Sequence, residues 1–418
     1  ESIIRKAKKD GIDTIVTCDN GIAALEQVRL AKELGMTVIV TDHHEVVRAE
    51  DGSQILPEAD AVVNPHRDDC PYPFAGICGG VVAYKLVQVL YEQNRIPEQE
   101  WKDMLEFAAI ATVGDVMKLQ DENRIIVRWG LKQIPHTASA GLRALVEACG
   151  LDICNLTAYH IGFVIGPCLN ASGRLKTAQL ALELLLCEAG TPAALRAEEM
   201  AAELKLLNEE RKDMTQAGME QAFEQVDTEL ADDDVLVVYL PDCHESLAGI
   251  IAGRVREAYN KPSFVLTKGE DCVKGSGRFS LKEENVGEFR RRLNEQSTLT
   301  REDFIPKIWI DVAMPLEYIS EALVNELKSL EPFGQGNEKP QFAQKNLRIR
   351  SLRALGRNNN AVRMTVVTEQ GRPMEAMVFT EADKFVEEAK NSRSMDVIYY
   401  PDINEYNGNR TLQIVVRA

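Results

Sequence analysis

The fold is decided by two segments near the start of the chain, TIVTCDNG at residues 14–21 and TVIVTDHH at residues 37–44. Each begins with a β-branched run and ends in polar side chains. Between them, residues 22–34 have helical spacing, with Gly35 placed to end the helix. Two short strands joined by a helix form a βαβ unit, whose strands are parallel. The sequence therefore predicts an open parallel sheet with both polar clusters at one edge.

Carboxylates and imidazoles gather at that predicted edge, where open α/β sheets bind their ligands. Asp19 follows the first strand, Asp42, His43 and His44 follow the second, and Asp115 comes after a predicted helix at 98–112. Oxygen ligands with added imidazole suit Mn²⁺ or Mg²⁺, and two such ions activate water for attack on a phosphodiester. A structural role stays open, because an Asp after a strand often only caps a helix.

Length and composition narrow the protein class. The chain has 418 residues, so about three domains are expected, and 45% hydrophobic with 27% charged residues indicates a folded globular chain. No apolar run reaches the roughly 18 residues of a membrane helix, which predicts no membrane association. The nine cysteines form no CxxC pair, which argues against a disulfide scaffold or a zinc ribbon and favours the cytoplasm.

The net charge of −17 argues against nucleic acid, but the charge is not uniform. Between Gln341 and Thr368 there are six basic and no acidic residues. They are Lys345, Arg348, Arg350, Arg353, Arg357 and Arg363. Strand-like runs with turns continue to the end of the chain, which predicts a small β-barrel. The basic residues suit a nucleic-acid-binding face, and a solvated surface is the equally open alternative.

The middle of the chain offers two further candidate sites. A long polar helix at 192–226 is typical of a connector between domains, and a second α/β region begins near residue 235. In that region GSGR at 275–278 follows a strand, and its glycines, hydroxyl and guanidinium suit an anion, although an ordinary turn is the simpler interpretation. A predicted loop at 166–174 carries Asn170 and Arg174, which suit a phosphate or domain docking.

In order, these motifs resemble the DHH phosphoesterase superfamily and, within it, the RecJ-type exonucleases. The resemblance covers the whole chain. It rests on TCDNGI at 17–22, TDHHE at 41–45, ATVGDVM at 111–117, HESLAGIIAGR at 244–254 with GSGR at 275–278, EPFGQGN at 331–337, EYNG at 405–408 and LQIVV at 412–416. It implies an α/β protein with four parts. They are a parallel-sheet DHH domain at 1–190, a connector helix at 191–228, an α/β DHHA1 substrate domain at 229–332 and an OB-like β-barrel at 338–418.

The resemblance also implies roles at the sheet edge. Asp19 would bridge two Mn²⁺ or Mg²⁺ ions, and His43 and Asp115 would complete the shell of the second ion. His44 would contact the scissile phosphate, and Asp42 would orient its neighbours.

For the nucleic acid, the resemblance implies that Ser276, Gly277 and Arg278 hold the terminal 5′ phosphate, with Arg174 and Asn170 nearby. The barrel would track the strand through basic and stacking contacts. The residues expected to do so are Arg348, Arg350, Arg353, Arg357 and Arg363.

The activity implied is single-stranded-DNA-specific 5′→3′ exonuclease hydrolysis in recombination and repair, with a helicase and a single-strand-binding protein as candidate partners. The family's Asp-rich first motif is not found in the 418 residues. We therefore expect an N-terminally truncated fragment that binds Mn²⁺ weakly and cleaves poorly. Two alternatives stay open: a DHH oligoribonuclease or cyclic-dinucleotide phosphodiesterase, and an inactive DNA-binding scaffold.

Overall fold

The computed structural model describes residues 1–269, 272–275, 283–355, 359–368, 370–390, 392, 394–406 and 409–417. The chain divides into two compact units. The first is Glu1–Gly130 together with Ile308–Ala418, and the second is Leu131–Lys307. Within the described ranges, no helix combines the length and the apolar character needed to cross a bilayer.

The first unit opens with the predicted parallel sheet. Its elements are α1 (Ser2–Lys9), β1 (Thr14–Val16), α2 (Leu25–Glu33), β2 (Thr37–Thr41) and β3 (Ala61–Val63). The strand order is β1-β2-β3, all parallel, which confirms the βαβ prediction. Val28 of α2 and Val40 of β2 are buried in the small core between helix and sheet. Both predicted polar clusters therefore leave the sheet at the same edge.

Four helices follow the sheet: α3 (Gly79–Gln93), α4 (Glu98–Lys102), α5 (Leu105–Gly114) and α6 (Asp121–Gln133). The helix predicted at 98–112 is therefore two helices, α4 and α5. The break at residues 103–104 allows Trp101 to be buried at the end of α4 while α5 packs its Ala108 and Ala109 into the core. Asp115 is the residue that ends α5.

The second unit begins with a helical bundle. Its helices are α7 (Ala140–Ala148), α8 (Ala158–His160), α9 (Gly166–Leu175), α10 (Gln179–Leu185) and α11 (Ala197–Gln225). The loop predicted at 166–174 is wrong, because these residues form α9. The chain is helical without a break from α8, because a π-helical segment at Ile161–Ile165 leads directly into α9 just before Pro167, and Cys168 and Ala171 are buried on packing against α11. The long helix α11 is also more buried than a bare connector, with Leu204 and Leu207 in the core.

The rest of the second unit is the predicted second α/β region. It contains β4 (Leu236–Tyr239), α12 (Ala248–Tyr259), β5 (Ser263–Lys268), β6 (Val273–Gly275) and α13 (Val286–Glu295). β4 and β5 are parallel, and β6 adds to β5 in the antiparallel sense. The candidate phosphate residues Ser276, Gly277 and Arg278 lie outside the described residues.

The C-terminal part of the first unit is a closed barrel. Its elements are β7 (Val312–Ala313), α14 (Glu321–Leu327), β8 (Phe342–Leu355), β9 (Ala361–Val367), β10 (Pro373–Val378), α15 (Ala382–Lys390), β11 (Ser394–Tyr406) and β12 (Asn409–Val416). The strands pair in the order β8-β9-β10-β12-β11, and β11 pairs again with β8. Five strands in a ring confirm the OB-like barrel.

One detail of this region differs from the sequence prediction. The 14-residue strand β8 was not predicted, since a bulge between Ile349 and Ser351 breaks its alternation of apolar and polar residues.

Candidate metal centre and nucleic-acid interface

The loop after β1 brings Asp19 to the edge of the sheet. Its backbone N–H donates to the carbonyl of Thr41 (3.1 Å), so the loop stays attached to β2 beyond the end of β1. Asp19 has φ +62° and Gly21 has φ +112°. A Cβ at position 21 would lie only 2.8 Å from the hydroxyl oxygen of Thr17, so no side chain fits there. This tight turn requires glycine and aims the Asp19 carboxylate at the loop after β2.

The centre of the site is the ring of His43. Its Nε2 lies 3.1 Å from Oδ1 of Asp19 and 3.3 Å from Oδ2 of Asp115. Nε2 is buried, yet neither contact has the geometry of a hydrogen bond among the described residues. A ligand atom of His44 also lies within 4.8 Å of those of Asp19 and His43. One imidazole nitrogen facing two carboxylate oxygens is a donor set that fits a divalent cation.

Asp42 acts from behind this cluster and is almost fully buried. Its carboxylate accepts backbone N–H groups from Ile22 (2.9 Å), His43 (2.7 Å) and His44 (3.2 Å). It also contacts Nδ1 of the His44 ring at 2.7 Å. Burial alone would raise the pKa of Asp42, but these hydrogen bonds outweigh it and lower the pKa. Asp42 therefore stays ionised and holds the Asp-His-His turn in one conformation.

The pKa of His44 is shifted in the opposite direction from that of Asp42. The hydrogen bond to Asp42 raises the pKa of the His44 ring, and the charges of Asp42, Asp19 and Asp115 raise it further against partial burial. Its side chain is largely exposed. An imidazole that is held through one nitrogen, with the rest of its ring open to solvent, suits contact with an anion.

Asp115 completes the cluster from the end of α5. Burial raises its pKa, and the charge of Asp19 raises it again, while His43 and His44 act in the other direction. Two carboxylates brought together around one imidazole repel each other unless a positive charge lies between them. This repulsion is a second reason to regard the cluster as a cation site.

Sequence reasoning missed two residues that build this site. Asn64 is buried after β3 and donates from Nδ2 to the carbonyl of His44 (2.9 Å). The rule that singles out polar residues after strands would have found it. Gly79, the first residue of α3, lies so close to Asp19 that a Cβ would fall 2.3 Å from Oδ1. No sequence signal marks this contact.

The candidate phosphate residues of α9 lie in the second unit. Asn170 and Arg174 are both exposed, and Nη1 of Arg174 donates to the carbonyl of Ser246 (2.8 Å). Sequence reasoning missed Arg211, on α11. Oδ1 of the buried Asn208 accepts from Nε and Nη2 of Arg211, at 3.1 and 3.0 Å.

The two guanidinium groups of Arg174 and Arg211 influence each other. The pKa of Arg211 is lowered, first by burial and then by the charge of Arg174. Both bind neutral oxygens, from Ser246 and Asn208. Two guanidinium groups that lie near each other and are hydrogen-bonded only to neutral oxygens favour the binding of an anion between them. Nothing in the charge-rich sequence of α11 distinguishes Arg211 from its neighbours.

The barrel arginines share a face because of the bulge in β8. Arg348 pairs with Val367, and Arg353 pairs with Arg363, while Arg350 is the extra residue at the bulge. Residues 348 and 353 would lie on opposite faces of a regular strand, and the bulge restores them to one face. Arg348, Arg353 and Arg363 are exposed there, whereas Arg357 lies outside the described residues.

The register also places an aromatic side chain on the outer side of the barrel wall, away from the arginines. Arg363 pairs with Met377, Met377 with the buried Val415, and Val415 with Tyr400, so the chain of pairs runs from β9 around the ring to β11. Nζ of Lys339 lies 4.4 Å from the centroid of the Tyr400 ring. Basic groups beside an aromatic ring are the combination that binds single-stranded nucleic acid.

Comparison with known proteins identifies the families to which the two ends of the chain are similar. The model of the DHH family N-terminal domain matches residues 1–112, and the model of the RecJ OB domain matches residues 310–418. The single-stranded-DNA-specific exonuclease RecJ of Bacillus subtilis is 32% identical over 450 residues, a match that covers 100% of this chain and 55% of that protein. The chain therefore spans about half the length of this relative.

Solved structures share this fold. The crystal structure of RecJ in complex with Mn²⁺ from Thermus thermophilus matches with a TM-score of 0.79 at 24% identity, over 99% of this chain and 63% of that one. The crystal structure of an exonuclease RecJ bound to manganese matches with a TM-score of 0.58 at 27% identity, over 71% of this chain and 79% of that one.

Proposed function

Since the chain belongs to the DHH family and is of the RecJ type, we propose that it forms the nuclease region of a single-stranded-DNA-specific exonuclease. The enzyme hydrolyses DNA from the 5′ end in recombination and repair. The observation that carries the proposal is the ring of His43 between the carboxylates of Asp19 and Asp115, at 3.1 and 3.3 Å. A cytoplasmic location and a helicase or single-strand-binding partner remain predictions.

In this proposal Asp19, His43 and Asp115 would hold divalent cations, Mn²⁺ or Mg²⁺. Such ions supply an activated water and neutralise charge on the phosphodiester. The protein's part is to keep three ligand groups converged before the substrate arrives. Asn64 and Gly79 support that geometry from behind, through the His44 carbonyl and the Asp19 side chain.

His44 binds the scissile phosphate. Because Asp42 engages Nδ1, the remaining ring nitrogen is the one that donates to a phosphate oxygen. The hydrogen bond to Asp42 raises the pKa of His44, which favours the charged form of the ring and strengthens its hydrogen bond to an anion. Asp42 is a positioning residue, since its contacts are to the backbone and the His44 ring.

Recognition of the strand is assigned to the basic groups. Ser276, Gly277 and Arg278 hold the terminal 5′ phosphate, and Arg174, Asn170 and Arg211 add positive charge and hydrogen bonds. The outer face of the barrel binds the strand through Arg348, Arg350, Arg353, Arg357 and Arg363. These contacts to phosphates carry no sequence information, which suits a nuclease that acts on any single strand.

The test is an end-labelling assay with Mn²⁺, made on the full-length gene product and on the 418-residue chain in parallel. We expect mononucleotides to be released from the 5′ end of single-stranded DNA, with weaker activity from the 418-residue chain. Asp115→Asn should reduce cleavage at least about 100-fold, because it removes a metal ligand. The matched control Asp10→Asn changes an exposed carboxylate at the end of α1 and should leave the rate unchanged.

Two results would contradict the proposal. A preference for short RNA or cyclic dinucleotides over single-stranded DNA would identify an oligoribonuclease or a cyclic-dinucleotide phosphodiesterase. Binding of single-stranded DNA by the full-length product without cleavage in either metal would identify an inactive scaffold.

A further inference from the structure

The thiols of Cys149 and Cys168 lie side by side in the second unit. Their sulfur atoms are 3.8 Å apart, and both cysteines are free. Cys149 is the residue that ends α7, and Cys168 is buried in the first half of α9. Both helices pack against α11. A disulfide needs the two sulfurs to approach to about 2.05 Å, so the required movement is less than the length of one side chain.

The two cysteines differ in burial and in the room that their side chains have to move. Cys168 is fully buried, and its sulfur accepts a hydrogen bond from Nδ2 of the buried Asn208 at 3.4 Å. Cys149 is half-buried at a helix end and is followed by Gly150, which has φ +71° and open space around it. Cys149 is therefore the partner that solvent molecules reach and that is free to shift.

The surroundings of the two thiols also shift their pKa values in opposite directions. The pKa of Cys149 is lowered to about 7, because Cys168 donates a hydrogen bond to its sulfur and Lys205 and Lys212 add positive charge, while burial opposes the shift. The pKa of Cys168 is raised by Cys149 and by burial. A half-exposed thiolate beside a protonated thiol is the arrangement of an attacking and a resolving cysteine.

We propose that Cys149 and Cys168 form a redox modification site, at which a peroxide converts the two thiols into an intramolecular disulfide. The Cys149 thiolate attacks one peroxide oxygen, the O–O bond breaks, and the departing hydroxide takes a proton and leaves as water. Cys168 then attacks the sulfenic sulfur of Cys149, the S–S bond forms, and the S–O bond breaks. The Cys168 proton leaves with that oxygen as a second water, so two thiols lose two electrons to one peroxide.

The test uses the full chain, reduced, freed of reductant and treated with hydrogen peroxide. Trypsin is unsuitable for mapping, because Arg143 and Arg174 bound one peptide that contains both cysteines and Cys154. Chymotrypsin cuts at Tyr159 between them. We expect two free thiols to disappear, a cross-linked pair of chymotryptic peptides that contain Cys149 and Cys168, and a mass lower by about 2 Da. Dithiothreitol should reverse all three changes.

Two variants make the test specific. Cys154→Ser removes a neighbouring exposed thiol and should leave the Cys149–Cys168 linkage unchanged. Cys168→Ser should abolish the linkage and leave Cys149 as a sulfenic acid that dimedone traps. The proposal is overturned if Cys149 instead links to Cys154 or to another chain, or if peroxide leaves both thiols intact in the folded protein. None of these outcomes depends on nuclease activity.

Discussion

At the scale of single residues, the candidate metal centre depends on a glycine as much as on its ligands. The α3 backbone at Gly79 approaches Asp19 so closely that a Cβ would lie 2.3 Å from Oδ1 and 2.6 Å from the Asp19 Cβ. Any larger residue must displace Asp19 itself. Asp19 already occupies the left-handed region, which leaves its backbone little room to adjust.

We predict that Gly79→Ala weakens Mn²⁺ binding by about 10- to 100-fold although it removes no ligand, because the Asp19 carboxylate moves away from His43. The measurement is a Mn²⁺ titration followed by electron paramagnetic resonance. Gly114→Ala is the matched control, because Gly114 precedes the ligand Asp115 and has open space where its Cβ would lie. Equal Mn²⁺ affinity in the two variants would show that the contact between Gly79 and Asp19 does not matter.

At the scale of secondary-structure elements, the β8 bulge determines which arginines can act together. Arg353 and Arg363 lie directly opposite each other on β8 and β9, an unfavourable pairing of like charges. Glu375 on β10 relieves it, since its carboxylate accepts from Nε of Arg363 at 2.6 Å. Glu375 also lowers the positive potential of this face.

We therefore predict that Glu375→Gln strengthens binding of single-stranded DNA by roughly two- to fivefold at low salt, because it frees Arg363 for phosphate contacts. It should lower the free energy of unfolding slightly, by about 0.5 kcal/mol, as the two arginines lose their counter-charge. Fluorescence anisotropy and urea denaturation measure the two effects. Weaker DNA binding in this variant would contradict a nucleic-acid role for the face.

A second pairing of elements joins α3 to α6. Lys85 of α3 contacts Glu122 of α6 at 2.5 Å, and Tyr72 donates its hydroxyl hydrogen to the same carboxylate. Burial alone would lower the pKa of Lys85, but the hydrogen bonds to Glu122 and Tyr72 outweigh it and raise the pKa. While Glu122 is ionised, the raised pKa of Lys85 contributes stability that is fully present below the unfolded Lys pKa and is lost as the pH rises through the folded pKa.

Glu122→Gln should accordingly lower the free energy of unfolding by about 1–3 kcal/mol at pH 7, because Lys85 is left partly buried without its counter-charge. Urea denaturation of the variant and the wild type at pH 7 measures this difference. Glu92→Gln, an exposed change on α3, should alter stability by less than about 0.5 kcal/mol. Similar losses of unfolding free energy in the two variants would show that the contact between Lys85 and Glu122 has no special role in stability.

At the scale of the whole molecule, the charge is segregated. The chain carries −17 overall, yet the barrel presents Arg348, Arg353 and Arg363 on one face. The acidic remainder repels DNA over long distances, so binding of single strands depends on this face more than the net charge suggests.

The double variant Arg348→Ala/Arg353→Ala should weaken binding of all single-stranded sequences alike. Two lost phosphate contacts should reduce the slope of log affinity against log salt concentration by about 1.4. The control Lys8→Ala/Lys9→Ala removes the same charge from the exposed end of α1 and should leave the slope unchanged. An equal change of the salt slope in both variants would show that the barrel arginines are a solvated surface and do not bind DNA.

The sequence alone determined the parallel sheet and the positions of Asp19, Asp42, His43 and His44 at its edge. These follow from local patterns: β-branched runs make strands, a helix between two strands makes them parallel, and polar residues after parallel strands must share an edge. The barrel was predictable for the same reason, because regularly spaced strands and turns are encoded within short segments.

Tertiary structure decided the rest. Residues 166–174 form a helix whose buried side packs against α11, and the arginines of β8 share a face because a bulge shifts its register. Two contacts join residues that local propensity cannot bring together: Gly79 with Asp19, and Cys149 with Cys168. Such contacts depend on which side chains meet when elements pack, and that is settled only in the folded chain.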